Sequence, residues 1–192
     1  MKRIIFTLIG FFAVLSLSSC GYNTMVRLDE QVTAQWAQVE NVYQRRSDLI
    51  PNLVSTVKGA ANFEQETLTQ VIEARAKASS INVDASNLTP ESVAQFQAVQ
   101  GQLSQSLGRL LATVEAYPQL KANQNFLELQ AQLEGTENRI TVERQKFNTV
   151  TQEYNSKIRT FPNNLTAGMF GFKAKGYFQA EAGANTAPKV EF

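Results

Sequence analysis

The sequence predicts an all-α protein: an up-and-down antiparallel bundle of four helices, the last one longest, followed by a non-helical aromatic C-terminal strap. Three observations predict it. Apolar residues recur at alternating spacings of three and four over four separate segments, the signature of one helix face. The chain of 192 residues holds only 10 glycines and 5 prolines, against much Ala, Gln, Leu and Glu. Two of the connections are short, which makes consecutive helices antiparallel neighbours.

The first twenty residues stand apart. Lys2 and Arg3 precede the apolar run IIFTLIGFFAVLSL, and Ser18, Ser19 and Cys20 follow it. A basic start, a short apolar stretch and small residues before a break have the form of a secretory signal. Leu17-Ser18-Ser19-Cys20 also has the form of a bacterial lipobox, so residues 1–19 are expected to be a lipoprotein-type signal and Cys20 the acylated residue. A spanning anchor is the alternative, but residues 4–19 fall short of the roughly 20 that a bilayer core requires. Cys20 is the only cysteine, which excludes a disulfide within the chain. Losing Lys2 and Arg3 from 18 basic residues leaves 16 against 17 acidic ones, a balance that gives no electrostatic case for binding nucleic acid.

Helix A is expected over 22–46, with its stripe at Tyr22, Met25, Asp29, Val32, Trp36, Val39 and Tyr43. Ser47 or Asp48 can cap a new helix, and Pro51 disfavours helical geometry at Ile50. These signals favour a break near residue 47 over one helix kinked at Pro51, and they make Arg45 and Arg46 a solvated helix end. Helix B follows to Ala78 through Ile50, Val54, Val57, Leu68 and Val71, weakened by Gly59. The polar stretch SSINVDASNLTP is the main connecting loop and ends in a cap signal at Thr89 and Pro90. Helix C carries Val93, Phe96, Gln100, Leu103, Leu107, Leu110 and Val114, and Tyr117-Pro118 closes it. Helix D, 120–162, keeps the rhythm from Phe126 to Phe161 and spans roughly 60 Å at about 1.5 Å per residue. It must overhang the bundle or be interrupted near Gly135. Beyond it, residues 163–183 mix glycines with Phe170, Phe172, Tyr177 and Phe178 without helical spacing. Residues 20–183 thus form the bundle with its strap, and 184–192 a loose tail.

Candidate chemistry is sparse. The chain has no histidine, which removes His-dependent triads and His-bearing metal sites. GFKAKGY (171–177) has glycines at phosphate-loop spacing but Tyr177 in place of the lysine. Hence no catalytic, cofactor-binding or metal-binding residues are assigned. Asp29, Glu64, Arg75, Glu143 and Lys157 lie on apolar stripes, and Glu134, Glu137, Arg139 and Arg144 cluster on helix D. They are either a polar layer that binds a ligand or partner or, as preferred, stripe-edge residues that fix register.

Three stretches resemble the LemA family of bacterial membrane-associated proteins: residues 22–68, 134–162 and 168–181, with RRSDLIPNLV, ENRI, Tyr154-Asn155, Phe161-Pro162 and GF…YF as the recognisable points. The resemblance implies a helical bundle held at the envelope, with no established biochemical activity and no active-site residues to carry over. The lipobox departs from the plain N-terminal membrane helix of many members. The expectation is therefore a non-catalytic scaffold or protein-interaction module, anchored through Cys20 and lying outside the cytoplasm, with a protein partner in the envelope. A small-molecule-binding bundle, or an enzyme using the Glu/Arg cluster of helix D, is the alternative. The topology puts the start of helix A and the end of helix D at one end, so Phe170, Phe172, Tyr177 and Phe178, with Lys173 and Lys175, are expected near the membrane or capping the bundle base.

Overall fold

The computed structural model describes the backbone of residues 2–59 and 63–180, and the side chains of 21–59 and 63–180. The tail at 184–192 and the side chain of Cys20 lie outside these. The described residues form six helices and no strand: α1 (Lys2–Lys58), α2 (Gln65–Ser80), α3 (Pro90–Val114), α4 (Pro118–Lys121), α5 (Gln124–Arg159) and α6 (Asn163–Phe170). The protein is all-α and its main helices run up, down, up and down. Helix α1 packs along α5, and α2 along α3.

The expected break at residues 47–51 is absent. Helix α1 continues through Pro51 to Lys58, so what was read as helix A and the start of helix B is one helix, ending at Gly59. Proline removes the N–H that would bond the carbonyl four residues earlier, here that of Ser47. Arg75 of α2 replaces it, its Nε donating to the Ser47 oxygen at 2.9 Å. Next to this, the hydroxyls of Ser47 and Ser79 lie 2.9 Å apart. Tertiary hydrogen bonding thus holds a continuous helix where local sequence argues against one. It also resolves the excess length of helix D. The bundle has two long helices, α1 and α5, and two shorter ones, α2 and α3.

Two further boundaries differ. The expected helix D is divided: α4 is a single turn, and α5 starts after Asn123, whose Oδ1 accepts the Phe126 N–H at 3.2 Å. Gly135 does not interrupt α5. The strap is helical in its first part, α6, before Gly171 turns the chain at φ 77° into an extended stretch over 172–180. Helix α3 begins as expected, with Thr89 Oγ1 accepting the Ser92 N–H at 3.1 Å.

Two cores result. At the end near residue 21, Trp36, Tyr43, Phe96, Phe147, Tyr154 and Phe178 pack with Met25, Leu28, Val32 and Val39. The loop before α3, expected to be merely polar, contributes buried Val83 and Leu88. At the far end the four main helices enclose an aliphatic core of Ile50, Leu53, Val57, Leu68, Val71, Leu103, Leu107, Leu110 and Leu133.

Candidate functional site

Between the two cores lies a belt of polar groups centred on Arg46. Far from being a solvated helix end, Arg46 is 1 % exposed. Its Nη1 donates to Ser104 Oγ at 2.7 Å and to Glu137 Oε1 at 2.9 Å, and its Nη2 donates to Gln100 Oε1 at 2.6 Å. The guanidinium also lies over the Tyr43 ring at 4.9 Å. Gln100 in turn donates from Nε2 to the Ala78 carbonyl of α2 at 3.2 Å. One buried cation therefore links α1, α2, α3 and α5. Its Nε has no partner. A buried charge of this kind is tolerated only when its other protons are satisfied.

The other charges on the stripes are dispersed. Asp29 pairs with Lys175, Oδ1 to Nζ 2.6 Å. Glu143 accepts from Lys146 and Gln35, and the Lys146 bond in particular holds its carboxyl below the ordinary range. Glu134 accepts from Gln130, Arg139 is exposed, and Arg144 donates to the Gln179 carbonyl while its guanidinium lies over the Phe178 ring. The Glu/Arg cluster read on helix D does not converge on one point.

The aromatic strap was expected either near the membrane or capping the bundle base, and the structure divides it. Phe178 is core: its ring stacks on Trp36, with centroids 5.9 Å apart and planes 11° apart. Phe172 is half-buried beside Tyr22, and Lys175 is buried rather than in water. Phe170 and Tyr177 are exposed.

Three carboxamides hold the strap backbone, each making two bonds to one residue. Asn155 gives and accepts at Lys175 (2.8 and 2.9 Å), and Asn148 does so at Phe178 (2.8 and 2.9 Å). From α3, Gln97 does the same at Gln179, both bonds 2.9 Å. The spacing has a physical basis. Seven helical residues from Asn148 to Asn155 advance about 10.5 Å, and three extended residues from 175 to 178 advance about 10 Å, so the registers match. The Tyr154 hydroxyl adds a bond to the Lys173 carbonyl at 3.0 Å. Gly176 is required by its neighbour, because a Cβ there would lie 2.7 Å from Pro90 Cα. Of these amides only Asn155 stood out in the sequence, within the Tyr154-Asn155 point of the family resemblance. Asn148 and Gln97 read as ordinary polar helix residues, and only the partner backbone gives all three a role.

Beside Gln179 and Ala180, a groove of about 620 Å³ lies between α3 and α5. Its α3 wall is Ala94, Ala98 and Gly101, small residues that keep it open. Gln102 and Gln105 offer exposed carboxamides there, whereas Gln97, Gln100, Ser104, Thr141, Arg46 and Glu137 already bond within the fold. A Cβ on Gly101 would meet nothing within 4 Å. The arrangement suits recognition of a polypeptide backbone, which needs donors and acceptors side by side.

Among the described residues no helix is long and apolar enough to cross a membrane. Residues 35–192 match the profile of the LemA family. The chain is 27 % identical to magnetosome protein MamQ 2 of Paramagnetospirillum magneticum over 203 residues, 95 % of this chain and 72 % of that one. It is 27 % identical to protein LemA of Metamycoplasma hominis over 158 residues, covering 82 % of this chain and 68 % of the relative.

Proposed function

The chain belongs to the LemA family, and from that premise we propose that it is a membrane-anchored, non-catalytic interaction module of the bacterial envelope. In this reading Cys20 carries an acyl anchor and the bundle stands outside the cytoplasm. The groove between α3 and α5 receives an extended segment of a protein partner. One observation carries the reading. The same two helices already bind an extended backbone, that of the strap, through paired carboxamide bonds from Gln97 and Asn148, and the groove adjoins that backbone at Gln179 and Ala180. Dispersal of the Glu/Arg cluster weighs against the enzyme alternative.

Gly101 offers a clean test, since it lines the groove and a Cβ there meets nothing within 4 Å. Gly101→Leu should keep or raise the melting temperature, because glycine within a helix costs about 0.5–1 kcal/mol relative to alanine. A photo-cross-linking residue at Ala98 in living cells should capture one discrete partner band, and Gly101→Leu should remove that band. Capture that is unchanged in Gly101→Leu, or equal from an exposed site such as Ile72, would overturn the groove reading. Cells fed a labelled fatty acid test the anchor separately: the wild type should label and Cys20→Ser should not.

A further inference from the structure

Helix α6 is turned inside out. It packs onto the bundle through Asn163 and Ala167, a polar residue and a small one, and directs its large apolar side chains outward. Leu165 is 61 % exposed, Met169 80 % and Phe170 58 %, and Phe161 just before the helix is 76 % exposed. A helix on a globular surface normally does the reverse, because burying a Leu or Met side chain is worth about 1.5–3 kcal/mol. Four large side chains at one end of the molecule therefore lack the burial they would ordinarily have.

We propose that α6 lies in the interfacial region of a lipid bilayer, with Phe161, Leu165, Met169 and Phe170 inserted among the headgroups and upper acyl chains. Three observations choose lipid as the occupant. Gly21, the residue after Cys20, touches α6: a Cβ on it would fall 2.5 Å from Asn163 Oδ1. The Tyr22 ring packs on Phe170 with centroids 4.7 Å apart. Cys20 thus joins the bundle at the base of this helix, and here the proposal rests on the acyl anchor of the proposed function. Charge agrees as well. Lys157, Arg159 and Lys173 flank the helix, and no acidic residue occurs from Tyr154 to Ala180, which suits anionic headgroups. An aromatic and aliphatic face with flanking lysine and arginine is the composition of an interfacial helix.

The full chain reconstituted into vesicles of phosphatidylcholine and phosphatidylglycerol provides the test. An environment-sensitive dye is placed at Met169→Cys and, for comparison, at Ile72→Cys, exposed on α2. The unsubstituted chain reports any dye taken up by Cys20 itself. Lipids bearing a spin label near the headgroup should quench the dye at 169 several-fold more than at 72, and its emission should shift to the blue. Equal quenching at both positions overturns the proposal. So does a blue shift at 169 without quenching and with cross-linking between two chains, because the occupant is then a second copy. Fatty-acid labelling of Cys20 reads independently. Labelled Cys20 with an unquenched dye at 169 keeps the anchor and removes the α6 contact, and the converse keeps α6 and removes the acyl chain.

Discussion

The two halves of the bundle solve one problem in different ways. In the far half, four helices of ordinary amphipathic pattern surround a core mainly of leucine, valine and isoleucine, and helix packing closes most of it, with Phe63, Tyr117 and Leu120 covering its end. In the half near residue 21, α1, α5 and the start of α3 run on beyond α2, and three helices leave one side of the core open. The gap is filled by non-helical backbone, the loop carrying Val83 and Leu88 and the strap carrying Phe178. Irregular backbone brings unpaired peptide groups, which must find partners when covered. The amides of Gln97, Asn148 and Asn155 and the Tyr154 hydroxyl are those partners. Large aromatic rings suit the same half, since each covers much area and Trp36, Phe96, Phe147 and Phe178 meet in edge-on and stacked pairs. Helix-only packing is therefore legible as periodicity, whereas mixed packing depends on single side chains at single places.

Truncating each core most directly challenges this division. Phe147→Ala should cost about 3–5 kcal/mol and Leu110→Ala about 2–5, both residues being fully buried. Chemical denaturation gives the size of the loss, and hydrogen exchange its place. Phe147→Ala should speed exchange of the amides at 175, 178 and 179 while leaving 103–110 protected, and Leu110→Ala should do the opposite. If either substitution loosens both halves equally, the cores are one cooperative unit and the polar belt around Arg46 separates nothing.

The junction at Pro51 comes next in size. Arg75→Met leaves the Ser47 carbonyl without a donor and should cost about 1–3 kcal/mol. Pro51→Ala restores the helical N–H, so the double substitution should recover most of that loss. A loss that persists in the double substitution would mean that Arg75 stabilises α1 by something other than the freed carbonyl.

The smallest effect concerns Tyr154, whose burial, with a contribution from the Asp29 carboxylate, pushes its hydroxyl up to about 12 from an ordinary 10.0. A raised folded-state pKa binds the proton more tightly in the folded chain. The stability it gives is complete below pH 10 and is lost as pH rises toward 12. Melting temperature should thus fall more steeply over that range in the wild type than in Tyr154→Phe. Equal slopes would place the Tyr154 hydroxyl in water rather than on the Lys173 carbonyl.

The sequence by itself determined the fold class, the stripes of α1, α2, α3 and α5, the cap at Thr89 and the family. Each is written locally, in spacing of three and four or in the residues of one turn, and neighbours in the chain decide it. Only the tertiary structure decided that α1 passes through Pro51, because Arg75, on another helix, supplies the missing donor. It made Arg46 a buried hub instead of a solvated end, since the pattern along α1 cannot reveal Ser104, Gln100 and Glu137 around it. It sent Phe178 into the core and left Phe170 outside, although the two lie eight residues apart in one aromatic stretch. A helix repeats its environment every few residues, so its pattern announces its face. An extended strap has no such repeat, and its side chains take their places from whatever surface it crosses.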